Sequence, residues 1–252
     1  MRVLVLSDIH SNLEALEACL ETAPAYDVVV NLGDIVGYGA SPNEVISRSR
    51  AIGKFFVRGN HDRAACGLTD VSEFNPIAAM AAMWTRQQLT EENLLWLRGL
   101  PQGPVRIEEL PDTEFVHGSP LDEDEYVIDG RDAVAPLSVS PVTVTFFGHT
   151  HLQGAFFRGI GYDDETLKPQ YRNGREPEKI ELSLKPGARY LLNPGSIGQP
   201  RDGDWRAAFA IYDSEERVAE FHRVPYNLEK AQRRILEASL PERLAQRLSV
   251  GR

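Results

Sequence analysis

Five apolar runs, each closed by residues able to hold a metal or move a proton, constrain this chain more than any other feature. Residues 3–6 lead into Ser7-Asp8-Ile9-His10, and residues 28–32 into Gly33-Asp34. Residues 54–57 lead into Arg58-Gly59-Asn60-His61-Asp62, residues 114–116 into His117-Gly118, and residues 142–147 into Gly148-His149-Thr150-His151. A continuous apolar run suits a strand buried on both faces. Polar residues just past such strands lie where open α/β sheets bind ligands.

Helical patterns separate the first runs. Leu13, Leu16 and Leu20 recur at helical spacing, with Glu14, Glu17 and Glu21 expected on the opposite face, Asn12 or Ser11 as cap and Pro24 as terminator. Ser41-Pro42-Asn43-Glu44 reads as a capping box with Pro at the first helical position. The β-α-β-α-β order implies a largely parallel sheet with right-handed crossovers. Asn75-Pro76 opens a helix to Leu89, and Thr90 caps a second one ending near Gly99. Met80, Met83 and Trp84 fall at helical spacing and are expected in the core.

Beyond Pro104 the period becomes that of strands. Residues 105–110 and 113–116 read as a hairpin around Pro111-Asp112, and residues 118–141 as mostly loop. Within that loop, Asp122-Glu123-Asp124-Glu125 is expected to be a solvated face. Residues 153–157 are expected to pair with 142–147, and residues 159–177 to be an irregular excursion. Residues 179–184, 189–192, 207–212 and 217–224 alternate as antiparallel strands would, and a helical tail from Leu228, capped by Asn227 and interrupted at Pro241, closes the chain. No repeat or linker divides it, so residues 1–252 are expected to form one domain with a tail at about 228–252.

Composition narrows the function classes. At 42% hydrophobic and 25% charged, the 252 residues are globular in type. A net charge of -10 argues against sequence-blind nucleic-acid binding. Cys19 and Cys66 make no disulfide framework, no run reaches the length of a membrane span, and the start is too short for a signal peptide. A cytoplasmic location is expected.

The candidate ligands are Asp8, His10, Asp34, Asn60, His117, His149 and His151, with His61 left over. Five of the chain's six histidines thus follow predicted strands; the sixth, His222, sits inside one and receives no function. Seven ligands exceed what one ion needs beside water, whereas two ions sharing a carboxylate use them all. Imidazole, carboxylate and one amide, without sulfur, suit manganese, taken as first choice, or iron, zinc, cobalt or nickel, and do not rank them.

The set Asp8-x-His10, Gly33-Asp34, Gly59-Asn60-His61-Asp62, His117 and Gly148-His149-x-His151 resembles that of the calcineurin-like metallophosphoesterases, in particular the small bacterial and archaeal phosphodiesterase-like members. The resemblance implies a four-layer α/β/β/α sandwich of two mixed sheets with metals at the strand ends. It implies Asp8, His10 and His151 at one metal, Asn60, His117 and His149 at the other, and Asp34 between them. It also implies hydrolysis of phosphodiesters or small phosphomonoesters by a hydroxide bridging the metals, with His61 as general acid to the leaving oxygen. The alternatives are a phosphoprotein phosphatase or dinucleoside polyphosphate hydrolase of the same mechanism, and a non-catalytic scaffold on this fold.

Two departures set the chain apart from the serine/threonine phosphatase branch. Gly33-Asp34-Ile35-Val36-Gly37-Tyr38-Gly39 lacks that branch's second Asp and its Arg, and the next block ends in Asp62 rather than Glu. The orienting partner of His61 is therefore not given by sequence. Asn193-Pro194-Gly195-Ser196 and Gln199-Pro200-Arg201-Asp202-Gly203 also resemble the small phosphodiesterase-like members. There Arg201 is either a phosphate contact or half of a surface Arg–Asp pair in a turn. Substrate choice is expected from the loops 38–41, 68–75, 118–136 and 198–205, which name no substrate, and no oligomeric interface is legible.

Overall fold

The computed structural model describes residues 1–159, 164–172 and 174–252. Strand and helix alternate at first: β1 (Arg2–Leu6), α1 (Leu13–Thr22), β2 (Val28–Asn31), α2 (Pro42–Ile52), β3 (Phe55–Phe56) and α3 (Asn60–Cys66). A 3-10 turn at Val71–Glu73 leads to α4 (Pro76–Gln88) and α5 (Glu91–Arg98). Then come β4 (Val105–Arg106), β5 (Thr113–Phe115), α6 (Gly130–Val139), β6 (Val144–Phe146), β7 (Gly154–Arg158) and β8 (Asp164–Leu167). The remainder is β9 (Glu178–Ser183), β10 (Arg189–Asn193), β11 (Ala207–Asp213), β12 (Val218–Val224), α7 (Leu228–Glu237) and α8 (Glu242–Leu248).

The strands form two mixed sheets, ordered β3-β2-β1-β11-β12-β9 and β4-β5-β6-β10-β7-β8. Alternation along β1 explains the stacking. Val3 and Val5 face a core shared with Phe115, Phe146 and Leu192 of the second sheet. Leu4 and Leu6 face Leu16 of α1, Val45 of α2 and Leu244 of α8. A third core joins the far face of the second sheet to Ala133 and Leu137 of α6. The layers therefore run α/β/β/α, and both faces of β1 are buried because a sheet lies on one side and helices on the other.

Several expectations need correction. The box at Ser41 does not form: its side chain makes no cap bond, and its hydroxyl accepts instead from Arg234 at 3.1 Å. Glu14 is not on the solvent face, because α7 covers it and brings Lys230 and Arg234 to 3.1 and 2.8 Å. Met80 and Met83 are exposed, at 57% and 53%; small Ala78, Ala81 and Ala82 face the core, letting α4 approach closely. The 105–110 strand is only two residues long before the chain turns at Ile107.

Residues 118–141 are mostly loop as expected, but they also carry a helix, α6, that the sequence reading does not anticipate. Asp129 caps α6 by accepting from the N–H groups of Arg131 and Asp132, and Asp132 accepts in return from Asp129. Pro136 lies inside that helix, a position that sequence propensity disfavours. β7 does not pair with β6, since β10 lies between them, parallel to β6 and antiparallel to β7. The four later strands thus split between the sheets, three in the first and β10 in the second. Within 159–177, β8 pairs with β7; residues 160–163 and 173 lie outside the described residues. The tail matches expectation, with Asn227 accepting from the Lys230 N–H.

Candidate metal centre

All seven candidate ligands and His61 follow the carboxyl ends of β1, β2, β3, β5 and β6. The two sheets aim these ends at one place. Asp8, His10, Asp34 and His151 bring ligand atoms within 4.8 Å of one another, as do Asp34, His117 and His149. Asp34 belongs to both groups. Five of these residues hold positive φ: Asp8 at 52°, His10 at 47°, Asp34 at 52°, His149 at 66° and His151 at 60°. Side chains rarely adopt that backbone, and its concentration here is the kind of local strain that packed functional loops sustain.

Each carboxylate uses one oxygen for support and turns the other inward. Asp8 Oδ2 accepts from the Ser7 hydroxyl at 2.6 Å and the His149 N–H at 3.2 Å, leaving Oδ1 3.3 Å from His151 Nε2. Asp34 Oδ1 accepts from the His61 N–H at 2.8 Å, and its Oδ2 lies 3.6 Å from both His10 Nε2 and His117 Nε2. The imidazoles follow the same rule. Nδ1 of His10, His117 and His151 faces the carbonyl of Val36, Leu32 and Gln199 at 3.1, 2.8 and 2.6 Å. A nitrogen facing a carbonyl carries the proton, so in the neutral ring Nε2 is the nitrogen with the lone pair. His10 and His151 then point two lone pairs at each other across 3.0 Å. His117 Nε2 meets His149 Nδ1 at 3.1 Å and Asn60 Oδ1 at 3.3 Å.

Such a convergence of acceptors fits cations. Asp8 Oδ1 and His149 Nε2 are buried with no hydrogen-bond partner among the described residues. Burial, reinforced by Asp8 and Asp62 nearby, pushes the Asp34 carboxyl well above its usual range. Burial opposes ionisation of Asp8 too, yet His151, His117 and the Ser7 hydroxyl hold it low. Burial, then neighbouring imidazoles, lowers His10, and burial and His117 hold His149 down to about 2, so both rings are neutral and ready to ligate. At His117 burial is outweighed by Asp34 and Asp8, which raise it. Buried carboxylates beside neutral imidazoles, with no sulfur, are a donor set for divalent metals.

His61 makes no inward contact of this kind. Its ring packs between Tyr38 at 4.3 Å, Phe74 at 4.9 Å and the edge of His10 at 4.9 Å. Its Nδ1 is buried without a hydrogen-bond partner among the described residues. Gly37, at φ 97°, lies flush against the ring, and a Cβ there would sit 2.7 Å from Nδ1. Packing thus orients His61 in place of a carboxylate. Asp62 accepts instead from Val36 and Gly59 N–H at 3.1 and 3.0 Å, tying two ligand loops together. Gly59 must be glycine for this approach, since a Cβ would meet Asp34 Oδ1 at 2.0 Å.

The 193–203 stretch does reach the centre. Asn193 donates to the Gly148 carbonyl and to Thr150 at 3.0 Å each, and Ser196 donates to the Asp8 carbonyl at 2.8 Å. The surface Arg201–Asp202 pair does not form, because Asp202 pairs with Arg223. Arg201 instead places its guanidinium 5.8 Å from the Tyr38 ring, and its buried Nε has no partner among the described residues. His222 stacks on Phe209 and bonds Glu220, away from the ligand groups.

The acidic run is a solvated face only in part: Asp122 and Asp124 are exposed, but three of its four carboxylates are engaged by side chains outside the run. Glu123 clasps Arg58 at 2.9 and 3.0 Å, Asp124 pairs with Arg63, and Glu125 accepts from Ser119. These ties hold the 118–126 loop over the centre and place Tyr126 3.9 Å from the His149 ring. Tyr126 and Phe74 had no sequence signal beyond lying in candidate loops. Together with Tyr38, Asn60, His61 and His149 they line a cleft of about 290 Å³.

An α/β sandwich of two mixed sheets carrying buried Asp and His at its strand ends fits the class of metal-dependent phosphoesterases. The model of the calcineurin-like phosphoesterase family matches residues 1–153, and the chain belongs to that family, whose members bind divalent metals through Asp and His. A metallophosphoesterase from Sphaerobacter thermophilus is similar in structure, with 37% identity, a TM-score of 0.85 and coverage of 100% of this chain and 99% of that one. An uncharacterized protein of Methanocaldococcus jannaschii is 35% identical over 99% of this chain and 98% of its own length. A hypothetical protein from Pyrococcus horikoshii shares the fold at 22% identity, with a TM-score of 0.77 and coverage of 100% and 98%. Among the described residues no helix is long and apolar enough to cross a membrane.

Proposed function

We propose that the chain hydrolyses phosphodiesters or small phosphomonoesters at a two-metal centre. Asp8, His10 and His151 hold one ion, Asn60, His117 and His149 the other, and Asp34 bridges them. The observation that carries this is Asp34 Oδ2, equidistant at 3.6 Å from His10 Nε2 and His117 Nε2. When bound, the two cations, with manganese first among the candidates, neutralise charge on the phosphoryl oxygens and lower the pKa of a nucleophilic water.

The chain's own residues do the rest. The carbonyls of Val36, Leu32 and Gln199 keep three imidazoles in the ligating tautomer. His61, spared from coordination and held by Gly37, Tyr38 and Phe74, gives a proton to the leaving oxygen. Arg201, free of Asp202, supplies a guanidinium to phosphoryl oxygens. The presence of His61 at the cleft disfavours the scaffold alternative. A single-domain, cytoplasmic enzyme remains our reading, supported by two buried free cysteines.

Turnover of bis(4-nitrophenyl) phosphate with added Mn²⁺ tests the proposal. Metal-dependent release of nitrophenol is expected; a fully metal-loaded chain without turnover on diester or monoester would overturn it.

A further inference from the structure

Tyr38 stands between the candidate centre and a second cleft. Its ring centroid is 4.3 Å from that of His61 and 4.7 Å from that of His10. The guanidinium carbons of Arg201 and Arg247 each lie 5.8 Å from the same centroid. Arg247 comes from α8, whose Leu244, Ala245 and Leu248 are buried against the core. Arg243, four residues earlier, shares its face. Both arginines, with Tyr38 and Asn75, line a cleft of about 650 Å³. Tyr38 and Asn75 also line the metal-side cleft, so they form a wall common to both spaces.

The charge here runs against the rest of the molecule. The chain has 37 acidic and 27 basic residues. Yet no Asp or Glu side chain pairs with Arg201, Arg243 or Arg247 among the described residues. Arg247 Nε donates to a main-chain oxygen of Arg252, the last residue of the sequence, and Arg201 donates to Gln199 at 3.2 Å while its buried Nε has no partner among the described residues. Burial, then Arg201 and Arg243, lower the pKa of Arg247, as expected of neighbouring cations. Guanidinium groups gathered with no Asp or Glu side chain against them favour an anion beside them, and phosphate matches their planar fork.

We propose that this cleft is a second anion subsite, and that the substrate is a phosphate ester whose leaving group carries another phosphate. The inference rests on the phosphoesterase reading for its geometry: one phosphate goes to the metals, and His61, facing the leaving oxygen, faces Tyr38. A leaving group departing past His61 reaches Arg247 and Arg243 beyond that ring.

Calorimetric titration of the Mn²⁺-loaded full chain tests this without requiring turnover. The probes are alkanediol bisphosphates of increasing length against the matching monophosphates, with metal in excess. An optimum length binding about tenfold tighter than its monophosphate is expected, with the advantage lost in R247Q and reduced in R243Q. Bisphosphates binding within about twofold of monophosphates at every length overturn the subsite. So does an advantage equally large in R247Q and R243Q. Bis(4-nitrophenyl) phosphate turnover, measured in parallel, separates the two claims. Turnover without a bisphosphate advantage defeats this inference alone, and an advantage without turnover defeats the phosphoesterase reading.

Discussion

The main-chain N–H of His61 donates to Asp34 Oδ1 at 2.8 Å, so the carboxylate shared by the two ligand groups also anchors the start of α3. Metal binding and placement of the proposed acid are thereby coupled through one side chain. Asp34→Asn is expected to weaken both ions together by about tenfold or more, as loss of a shared ligand should. His10→Ala should empty one position first. Elemental analysis of the purified variants after equilibration with Mn²⁺ reads both; D34N retaining one ion at full occupancy contradicts the sharing.

Gly37→Ala addresses the orientation of His61. The new methyl meets Nδ1 at 2.7 Å, and φ of 97° strains any side chain. The expected result is a fall in kcat of about 10–100-fold with metal content unchanged. An unaltered kcat would remove Gly37 as the positioning device.

His61→Ala separates proton donation from binding. Alkyl phosphate esters need a protonated leaving group and nitrophenyl esters do not, so kcat should fall by about 10²–10⁴-fold more on the alkyl substrates. Equal losses on both would sink the general-acid role.

Glu14→Gln probes the docking of the tail. The carboxylate is 4% exposed and holds both Lys230 and Arg234, which are themselves 47% and 34% exposed. Those exposed partners regain water when released, so the loss is expected at about 1–2 kcal/mol rather than the larger figure for a fully buried pair. Urea denaturation should show a lower midpoint, and an unchanged midpoint would mean that apolar contacts alone hold α7.

The convergence of the candidate ligands was legible because each combines two signals, an apolar run and a polar cluster at its carboxyl end. The later strands were legible as strands but not as neighbours. Alternation reports which face of a strand is buried, not which strand lies beside it. β9 and β10 look alike in sequence, yet they lie in different sheets. α6 was masked by Pro136, although the Asp129–Asp132 box was there to be read. Met80 and Met83 misled because the alanines between them allow a close helix approach that hydrophobicity alone does not weigh. The acidic run misled because its partners, Arg58 and Arg63, are about sixty positions away. The support of His61 is a glycine backbone and ring packing, neither of which carries a motif.

The central claim is that Asp34 joins two metal positions into one hydrolytic centre. Mn²⁺ titrated into metal-free protein, with bound metal and bis(4-nitrophenyl) phosphate turnover followed together, tests it most directly. Turnover should rise to a plateau at two ions per chain, accompanied by a higher melting temperature as the buried carboxylates gain counter-charge. Saturation at one ion with full activity, or two bound ions without turnover, would contradict it.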